Sequence, residues 1–492
     1  MKKLSILLIL LFLSIIPTLV NGQRATIESK FDKIIEQNMK DWHIAGLSIV
    51  VVKDNAIILN KGYGHKDVQL TEKVTNNTLF AMGSSAKAFT GALIAQADTD
   101  SLLNLNTPVS KQTSFKLIDE VLTQQVTFKD LLTHHTGIPG HDFIWLSQNM
   151  TRNELSDRLQ YLPKTKGLRQ AFQYNNILYA IAGYKAADIL HTTWEDAMQD
   201  KIFKPLGMNH TGFEIPANIH ASDYTAQFLY NGASYLPLPF RDLSLVAPAG
   251  GVYTNTTDLS YWLLMLLNNG KLNGKTILDE VTLKKMFHPY VVSIFPKKFE
   301  EHFYENYGLG WAITSYRGLH HIHHAGNIDG FTSTVDLFPD HNIGIAILTN
   351  TAYANTFTDI IKYDIIDELM QLEDIDWSKK YKDLIALKKM EHKPAVINHN
   401  QSLGSSAFSL DQLTGEYHHD AYGTIVVSKQ GDGLSASYGQ LPLQLQRKEG
   451  NTFTEMAVVP GQHFTFEGKD KASSLTTAFP SSEAPIIFSK VK

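Results

Sequence analysis

The sequence predicts an α/β (α+β) chain. Its main unit is an antiparallel sheet flanked by helices, with a helical lobe, and a small C-terminal all-β domain follows. Three observations predict this. Strand patterns cluster at both ends of residues 23–372, with mostly helical periodicity between them. A sheet assembled from both ends of a domain buries its apolar faces under helices. A polar, charged stretch over 373–405 then precedes residues 406–492, where short β-rich runs alternate with turns.

Residues 1–22 read as a signal peptide. Lys2 and Lys3 precede an apolar run from Leu4 to Ile16, Pro17 breaks it, and Val20-Asn21-Gly22 offers a small-residue cleavage site. The run is shorter than the roughly 20 residues of a membrane span. The expectation is therefore a secreted or periplasmic protein with no stable membrane anchor after cleavage. Ile27 to Met39 carries apolar residues at helical spacing. Gly46 to Val52 and Ala56 to Gly62 read as strands around the turn Lys53-Asp54-Asn55. Phe80 leads into a helix through Ser84 and Lys87 to about Ala97, and helical patterns continue to about residue 245. Strands are expected over Gly308 to Thr314, His320 to His324, Thr332 to Phe338 and Ile343 to Asn350, the last two joined by a turn at Pro339-Asp340-His341-Asn342. Phe357 to Leu372 closes the unit as a helix. Asp376 to Lys393 reads as a linker helix stopped by Pro394, and the β runs begin near Leu410 with turns at Asp432-Gly433 and Glu449-Gly450-Asn451.

Composition removes several function classes. The chain has 492 residues, 43% hydrophobic and 19% charged, which is ordinary for globular proteins. A net charge of −5 without a basic cluster gives nucleic-acid binding no support. There is no cysteine, so disulfides, thiol nucleophiles and thiolate metal sites are excluded.

The chemistry-bearing stretch is Ser84-Ser85-Ala86-Lys87. Positions three apart share a helix face, so Lys87 can sit beside the Ser84 hydroxyl. Serine is a weak nucleophile until a neighbouring base takes its proton, and a buried lysine can be neutral enough to do so. Phe172-Gln173-Tyr174-Asn175-Asn176 precedes an apolar helical run. A cationic Lys87 nearby could hold Tyr174 as a phenolate base, and Asn176 could orient Lys87 or face the substrate carbonyl. Tyr304-Glu305-Asn306 matches the same Tyr-x-Asn pattern, but Tyr174 is preferred because it lies in the loop before a helix. On a strand, His324-Ala325-Gly326-Asn327 could supply an oxyanion N–H, with Gly326 admitting substrate to the backbone. Leu131 to Pro139 reads as a helix end and is assigned no chemistry. His320, His321, His323 and His324 cluster on one strand, but that segment has no carboxylate to complete a ligand set, so no metal is expected.

Taken in order, Gly83 to Lys87, Leu131 to Pro139, Tyr174-Asn175-Asn176, Pro248-Ala249-Gly250-Gly251 and His324-Ala325-Gly326 resemble the serine β-lactamase and penicillin-binding-protein superfamily. The likeness covers about residues 27 to 370 and is nearest the class C-like branch, which also holds esterases and D-peptidases. The resemblance implies Ser84 as acylated nucleophile and Lys87 and Tyr174 as the proton-handling pair. It also implies Asn176 as a positioning residue, an oxyanion hole from the N–H groups of Ser84 and Asn327, and no cofactor. The expected partner is a small-molecule ester, amide or peptide substrate. The alternatives are a β-lactamase proper, or a slowly acylated penicillin-binding or sensor protein. The third motif departs from the usual Lys-Thr-Gly or Lys-Ser-Gly: His324 replaces the lysine and Ala325 removes the hydroxyl. Those groups are expected to hold a substrate carboxylate, so neutral esters are favoured, and protonated His324 would help anionic substrates only at low pH. The C-terminal domain resembles a small accessory domain. It carries no motif residue, so its removal is expected to leave activity.

Overall fold

The computed structural model describes residues 26–67, 69–147, 150–213, 223–293, 298–303, 305–391 and 408–491. The signal segment and Tyr304 lie outside the described residues. Among the described residues, no helix is long and apolar enough to cross a membrane.

The main sheet has eight antiparallel strands. In spatial order they are Ala56–Gly64, Gly46–Lys53, Ile343–Thr349, Phe331–Phe338, Leu319–Ile328, Ala312–Tyr316, Asn306–Tyr307 and Val291–Val292. N-terminal and C-terminal strands meet at the second and third positions, where Ile49 pairs with Ile347 and Val51 with Ile345. These strands are apolar on both faces because both faces are covered. Ile49, Val51, Ile345 and Ile347 face a layer formed by the helix over 26–41 and the helix Asn355–Met370, through Phe31, Ile35, Phe357 and Ile361. Val50, Val52, Ala346 and Leu348 face the other layer with the helical lobe. Each such side chain contributes about 1.5–3 kcal/mol on burial.

At the centre of that second layer runs the helix Lys87–Thr99, buried almost all round. A helix of this kind belongs inside the core. Its small residues permit this: a Cβ on Gly91 would lie 2.1 Å from the Leu309 carbonyl oxygen. The strand expected from Gly308 begins instead at Ala312. Gly308 to Gly310 form a tight turn, and Gly310 has φ +81° with no room for a side chain beside the Lys87 carbonyl.

The linker expectation also needs correction. Trp377–Glu391 is a helix whose Trp377 and Tyr381 are buried against the first layer, and Trp377 Nε1 donates to Asp367 at 3.1 Å. The charged half of the segment is a docked element of the hydrolase body. Beyond it, eight strands from Gly415–His419 to Ile486–Lys490 form a closed up-and-down barrel, sealed by Tyr417 pairing with Lys490. Its interior is filled by Tyr417, Tyr438, Phe453, Phe464, Phe466 and Phe488. Closure leaves no free sheet edge.

Candidate active site

Ser84 lies on a 3₁₀ turn, Gly83–Ala86, that feeds directly into the helix Lys87–Thr99. The two adjacent serines have different environments. Ser85 is fully buried; its Oγ donates to the His324 carbonyl at 2.9 Å and meets Ser333 Oγ at 2.8 Å. Ser333 in turn donates to the Met82 carbonyl at 2.6 Å. These bonds fasten the turn to the sheet. Ser84 is left partly exposed in a cavity of about 50 Å³ walled by Trp145, Leu243, Val246, Ala249 and Ile328, among others.

The Lys87 ammonium end is 3.2 Å from Ser84 Oγ, 2.7 Å from Asn176 Oδ1 and 2.7 Å from the Ala249 carbonyl oxygen. Both short partners are neutral acceptors. Lys87 is fully buried, and desolvation pushes its pKa down to about 7, with Asp142 opposing the fall. A neutral amine has two N–H bonds and one lone pair. The two acceptors take the N–H bonds, and the lone pair is left facing Ser84 Oγ. This arrangement can accept the serine proton.

Tyr174 stands beside Ser84 and Lys87, with its hydroxyl hydrogen-bonded to the Ser84 side chain and its ring 4.8 Å from Lys87 Nζ. The expected phenolate is corrected here: burial pushes the phenol above its ordinary value, so Tyr174 rests protonated. Above about pH 7 the pair is a neutral amine and a neutral phenol rather than an ion pair. Asn176 opens the helix Asn176–Ile189, which is capped by the Asn175 side chain accepting from Leu178 N at 2.8 Å. Asn176 Nδ2 donates to Asp142 Oδ1 at 3.0 Å, which fixes its amide with the oxygen toward Lys87.

Asp142 and Trp145 were not singled out in the sequence, and Ala249 entered only within the Pro248 to Gly251 run, with no role for its carbonyl. Asp142 is buried, and desolvation pushes its carboxyl above the usual range against hydrogen bonds from Trp145, Asn176 and Ser481. No local motif marks it: Trp145 is three residues on, but the partners that tie it to the site, Asn176 and Ser481, lie 34 and 339 residues away. His134, given no chemistry, accepts from Asn175 N at 3.1 Å and packs 4.3 Å from the Tyr174 ring. It supports the site from behind.

The third motif is only partly where the sequence put it. Asn327 lines the cavity, and a Cβ on Gly83 would lie 2.9 Å from the Asn327 amide nitrogen. The Asn327 and Ser84 amides thus flank the nucleophile turn. Gly326 admits protein rather than substrate: a Cβ there would meet the Met82 carbonyl at 2.0 Å and Ser85 N at 2.9 Å. His324 is a correction. Its Nδ1 faces the Ala325 carbonyl at 2.6 Å, so Nδ1 carries the hydrogen, and Nε2 accepts from the Tyr307 hydroxyl at 2.8 Å. Burial and the nearby Lys87 push its pKa down to about 3. The ring lies behind Tyr174, outside the cavity, and has no free nitrogen for a substrate carboxylate.

On the opposite face of the same strand, His321 and His323 come together with Asp336 from the paired strand, donor atoms all within 4.8 Å. The carboxylate missing from the local sequence is therefore supplied by the sheet. Asp336 Oδ1 already receives His321 Nε2 at 2.8 Å and the Lys362 ammonium at 3.1 Å. A fixed internal cation occupies the carboxylate a metal would need, so the residues fit a structural ion cluster better than a metal centre.

The family model described as Beta-lactamase matches residues 31–369. The Unguisins hydrolase ungD' of Aspergillus campestris (strain IBT 28561) is 27% identical over 431 residues, spanning 82% of this chain and 78% of that protein. Protein flp of Staphylococcus aureus (strain N315) is 29% identical over 332 residues, 66% of this chain and 63% of its own length. The structure of an octameric penicillin-binding protein homologue from Pyrococcus abyssi superposes with a TM-score of 0.61 at 20% identity, covering 94% of this chain and 99% of that one. A class C beta lactamase from Rhodobacter sphaeroides gives 0.57 at 19% identity, covering 69% and 99%. The structural likenesses show a shared fold.

Proposed function

The chain belongs to the beta-lactamase family and is a serine hydrolase, and on that premise we propose that it cleaves a neutral ester or amide through an acyl-enzyme on Ser84. The observation that carries this is the buried Lys87 amine, held by two neutral acceptors with its lone pair toward Ser84 Oγ. In the proposed sequence Ser84 Oγ attacks the substrate carbonyl and its proton passes to Lys87 Nζ. The carbonyl oxygen becomes an oxyanion beside the Ser84 and Asn327 amides. As the bond to the leaving group breaks, that group takes a proton through the Tyr174 hydroxyl, which Lys87 replenishes. Water then attacks the acyl carbonyl, gives its proton back through the same pair, and frees Ser84.

The substrate class rests on the walls. The cavity beside Ser84 is lined, among the described residues, by no charged side chain. It is small, and Trp145 also borders a groove of about 340 Å³ that includes Phe240, Arg241 and Gln440. Arg241 there is paired with Asp329 at 3.0 Å, so its charge is already met. A short neutral acyl group fits the cavity, and the groove suits a larger leaving group. The name of the fungal relative, a hydrolase of unguisins, supports hydrolysis as the general activity. Export is proposed on the N-terminal charge and apolar pattern alone; the test is the N-terminal sequence of the mature protein.

The activity test uses p-nitrophenyl esters of short acids, D-amino-acid amides and nitrocefin, with an active-site serine probe. Neutral short esters are expected to give the highest kcat/KM. Ser84→Ala is expected to abolish turnover and labelling. Labelling that survives in this variant puts the nucleophile elsewhere. A burst of one equivalent without turnover on every substrate favours the slowly acylated binder, and nitrocefin turned over faster than esters favours a β-lactamase proper.

A further inference from the structure

The C-terminal barrel, which carries no motif residue, reaches the catalytic lysine's surroundings through one loop. The turn at 478–483 meets the loop 139–145. The Asp142 N–H donates to Ser481 Oγ at 2.8 Å, the His141 N–H donates to the Ser481 carbonyl at 3.1 Å, and the Ser481 hydroxyl also bonds the Asp142 carboxylate. The contact is built into both partners. A Cβ on Gly140 would lie 2.9 Å from Ser481 Cβ, so the loop has glycine where the barrel presses closest. Phe143 stacks on Phe479 with ring centroids 4.5 Å apart. His141 donates from Nε2 to the Pro163 carbonyl at 2.9 Å and meets the barrel's Tyr422 hydroxyl at 2.6 Å through Nδ1. From Asp142 the path continues through Asn176 to Lys87, each step a hydrogen bond of 3.0 Å or less.

We propose that the barrel is part of the catalytic apparatus, with Ser481 a positioning residue that holds Asp142, and through Asp142 and Asn176 the orientation of Lys87. It rests on the reading of Ser84 and Lys87 as the acyl-enzyme pair. The reason is the amide of Asn176. Its two ends are distinguishable only by partner, and Asp142 selects the one that turns oxygen toward Lys87. A buried carboxylate needs donors to stay in place. Ser481 supplies one of the three side-chain donors to Asp142 and also accepts the Asp142 backbone N–H. Removing its hydroxyl leaves the N–H unpaired and the carboxylate weakly held.

This role has a pH signature. The titratable groups facing Lys87 are Asp142, Tyr174, Tyr179, His134 and His324, and Tyr422 faces Asp142 from the barrel. Burial holds the two histidines neutral and the three tyrosines protonated, so Asp142 is the acidic group whose field acts on Lys87. The Asp142 charge raises the Lys87 pKa. Weakening Asp142's donors raises its own pKa, reduces its charge and lets the Lys87 pKa fall.

The test uses the full-length chain. Wild type is first acylated with a serine-directed phosphonate probe, and the modified peptide is located by mass spectrometry. Failure to label Ser84 overturns the functional reading, which is a separate outcome. With labelling established, Ser481→Ala is expected to lower kcat about tenfold, leave KM within about twofold, and move the acid limb of the profile down by about half a pH unit. Gly140→Ala, which pushes the barrel turn away from the other side, is expected to act in the same direction. In an Asp142→Asn background Ser481→Ala is expected to shift the limb no further, because its effect passes through the carboxylate. A folded Ser481→Ala enzyme with unchanged kcat and unchanged acid limb overturns the proposal. So does a limb shift that persists in full in the Asp142→Asn background.

Discussion

Lys87 and Lys362 are both buried in the hydrolase body, 0% and 2% exposed, on opposite faces of one sheet, yet their amines behave oppositely. Lys362 sits on the helix Asn355–Met370 with Asp336 and Asp359 each 3.1 Å from its Nζ. Those carboxylates outweigh desolvation and raise its pKa. Lys87 meets only an amide oxygen, a carbonyl and a hydroxyl, and its nearest carboxylate acts from beyond Asn176, so desolvation prevails and its pKa falls to about 7. Burial alone therefore does not make a base. The partner's charge decides whether a buried amine is a structural cation or a proton acceptor.

Exchanging each lysine for methionine breaks the comparison most sharply. Lys87→Met is expected to lower kcat on the order of a thousandfold while leaving thermal stability equal or higher, because a buried amine without an ionic partner is lost. Lys362→Met is expected to do the reverse. It removes the lysine partner of buried Asp336, while Asp359 keeps Lys298 and Tyr381, and is expected to cost about 3 kcal/mol of stability, measured by urea unfolding, while the folded fraction keeps kcat within about threefold. Equal stability losses in the two variants would mean that the Lys87 surroundings hold a charge after all.

The second contrast is the pH response. The proposed mechanism needs neutral Lys87, so kcat/KM on a neutral ester is expected to fall about tenfold per pH unit below a midpoint near 7. Stability has the same sign. Between about 7 and the unfolded lysine's value of about 10.4, the unfolded chain holds a proton on Lys87 that the folded chain lacks, so this residue makes stability rise with pH. Lys362 works oppositely: its contribution is complete below the unfolded value and is lost as pH climbs toward its raised folded pKa. Comparing the slope of stability against pH in wild type and Lys87→Met isolates the first effect. An acid limb centred a full unit or more below 7 would show that the resting amine is less basic than its surroundings imply.

The parts legible in the sequence were those whose chemistry is local. Ser84 and Lys87 share a helix face three residues apart, and Tyr174 and Asn176 lie at one helix entrance, so spacing alone brought each pair together. Strands such as Gly46–Lys53 and Ile343–Thr349 read clearly because they are mostly apolar and buried. What could not be read depends on chain segments far apart. Asp336 reaches the His321 cluster only through strand pairing, and Ser481 reaches Asp142 across 339 residues. The segment from Asp376 reads as a charged linker helix for a different reason. The helix Trp377–Glu391 is there, but Trp377 buries completely and carries it onto the body; residues 392–405 lie outside the described residues. Motif content predicts that residues 406–492 can be deleted with activity retained, whereas the proposed role of Ser481 predicts a loss, because motif content does not register a supporting contact.

His324 gives the smallest expected effect and tests how one strand divides its histidines between two faces. His321 and His323 face the Lys362 cluster, whereas His324 faces the back of Tyr174. Both its ring nitrogens are used internally, by the Ala325 carbonyl and the Tyr307 hydroxyl, and its pKa lies near 3. An imidazolium could form only by displacing the Tyr307 hydrogen from Nε2, within a buried pocket that already contains Lys87. Low pH should therefore bring no gain in binding for anionic substrates, contrary to what the motif alone suggests. His324→Gln, which can keep one of the two hydrogen bonds, is expected to change kcat/KM by about threefold, because one neutral hydrogen bond is worth about 1 kcal/mol. The measurement compares a neutral ester with a carboxylate-bearing one at about pH 5.5 and about pH 8, spanning the ordinary histidine range. The ratio of the two substrates is expected to be the same at both pH values in wild type and variant. A preference for the anionic ester that rises at low pH in wild type, and disappears in His324→Gln, would place a titrating His324 at the substrate and return the third motif to its expected role.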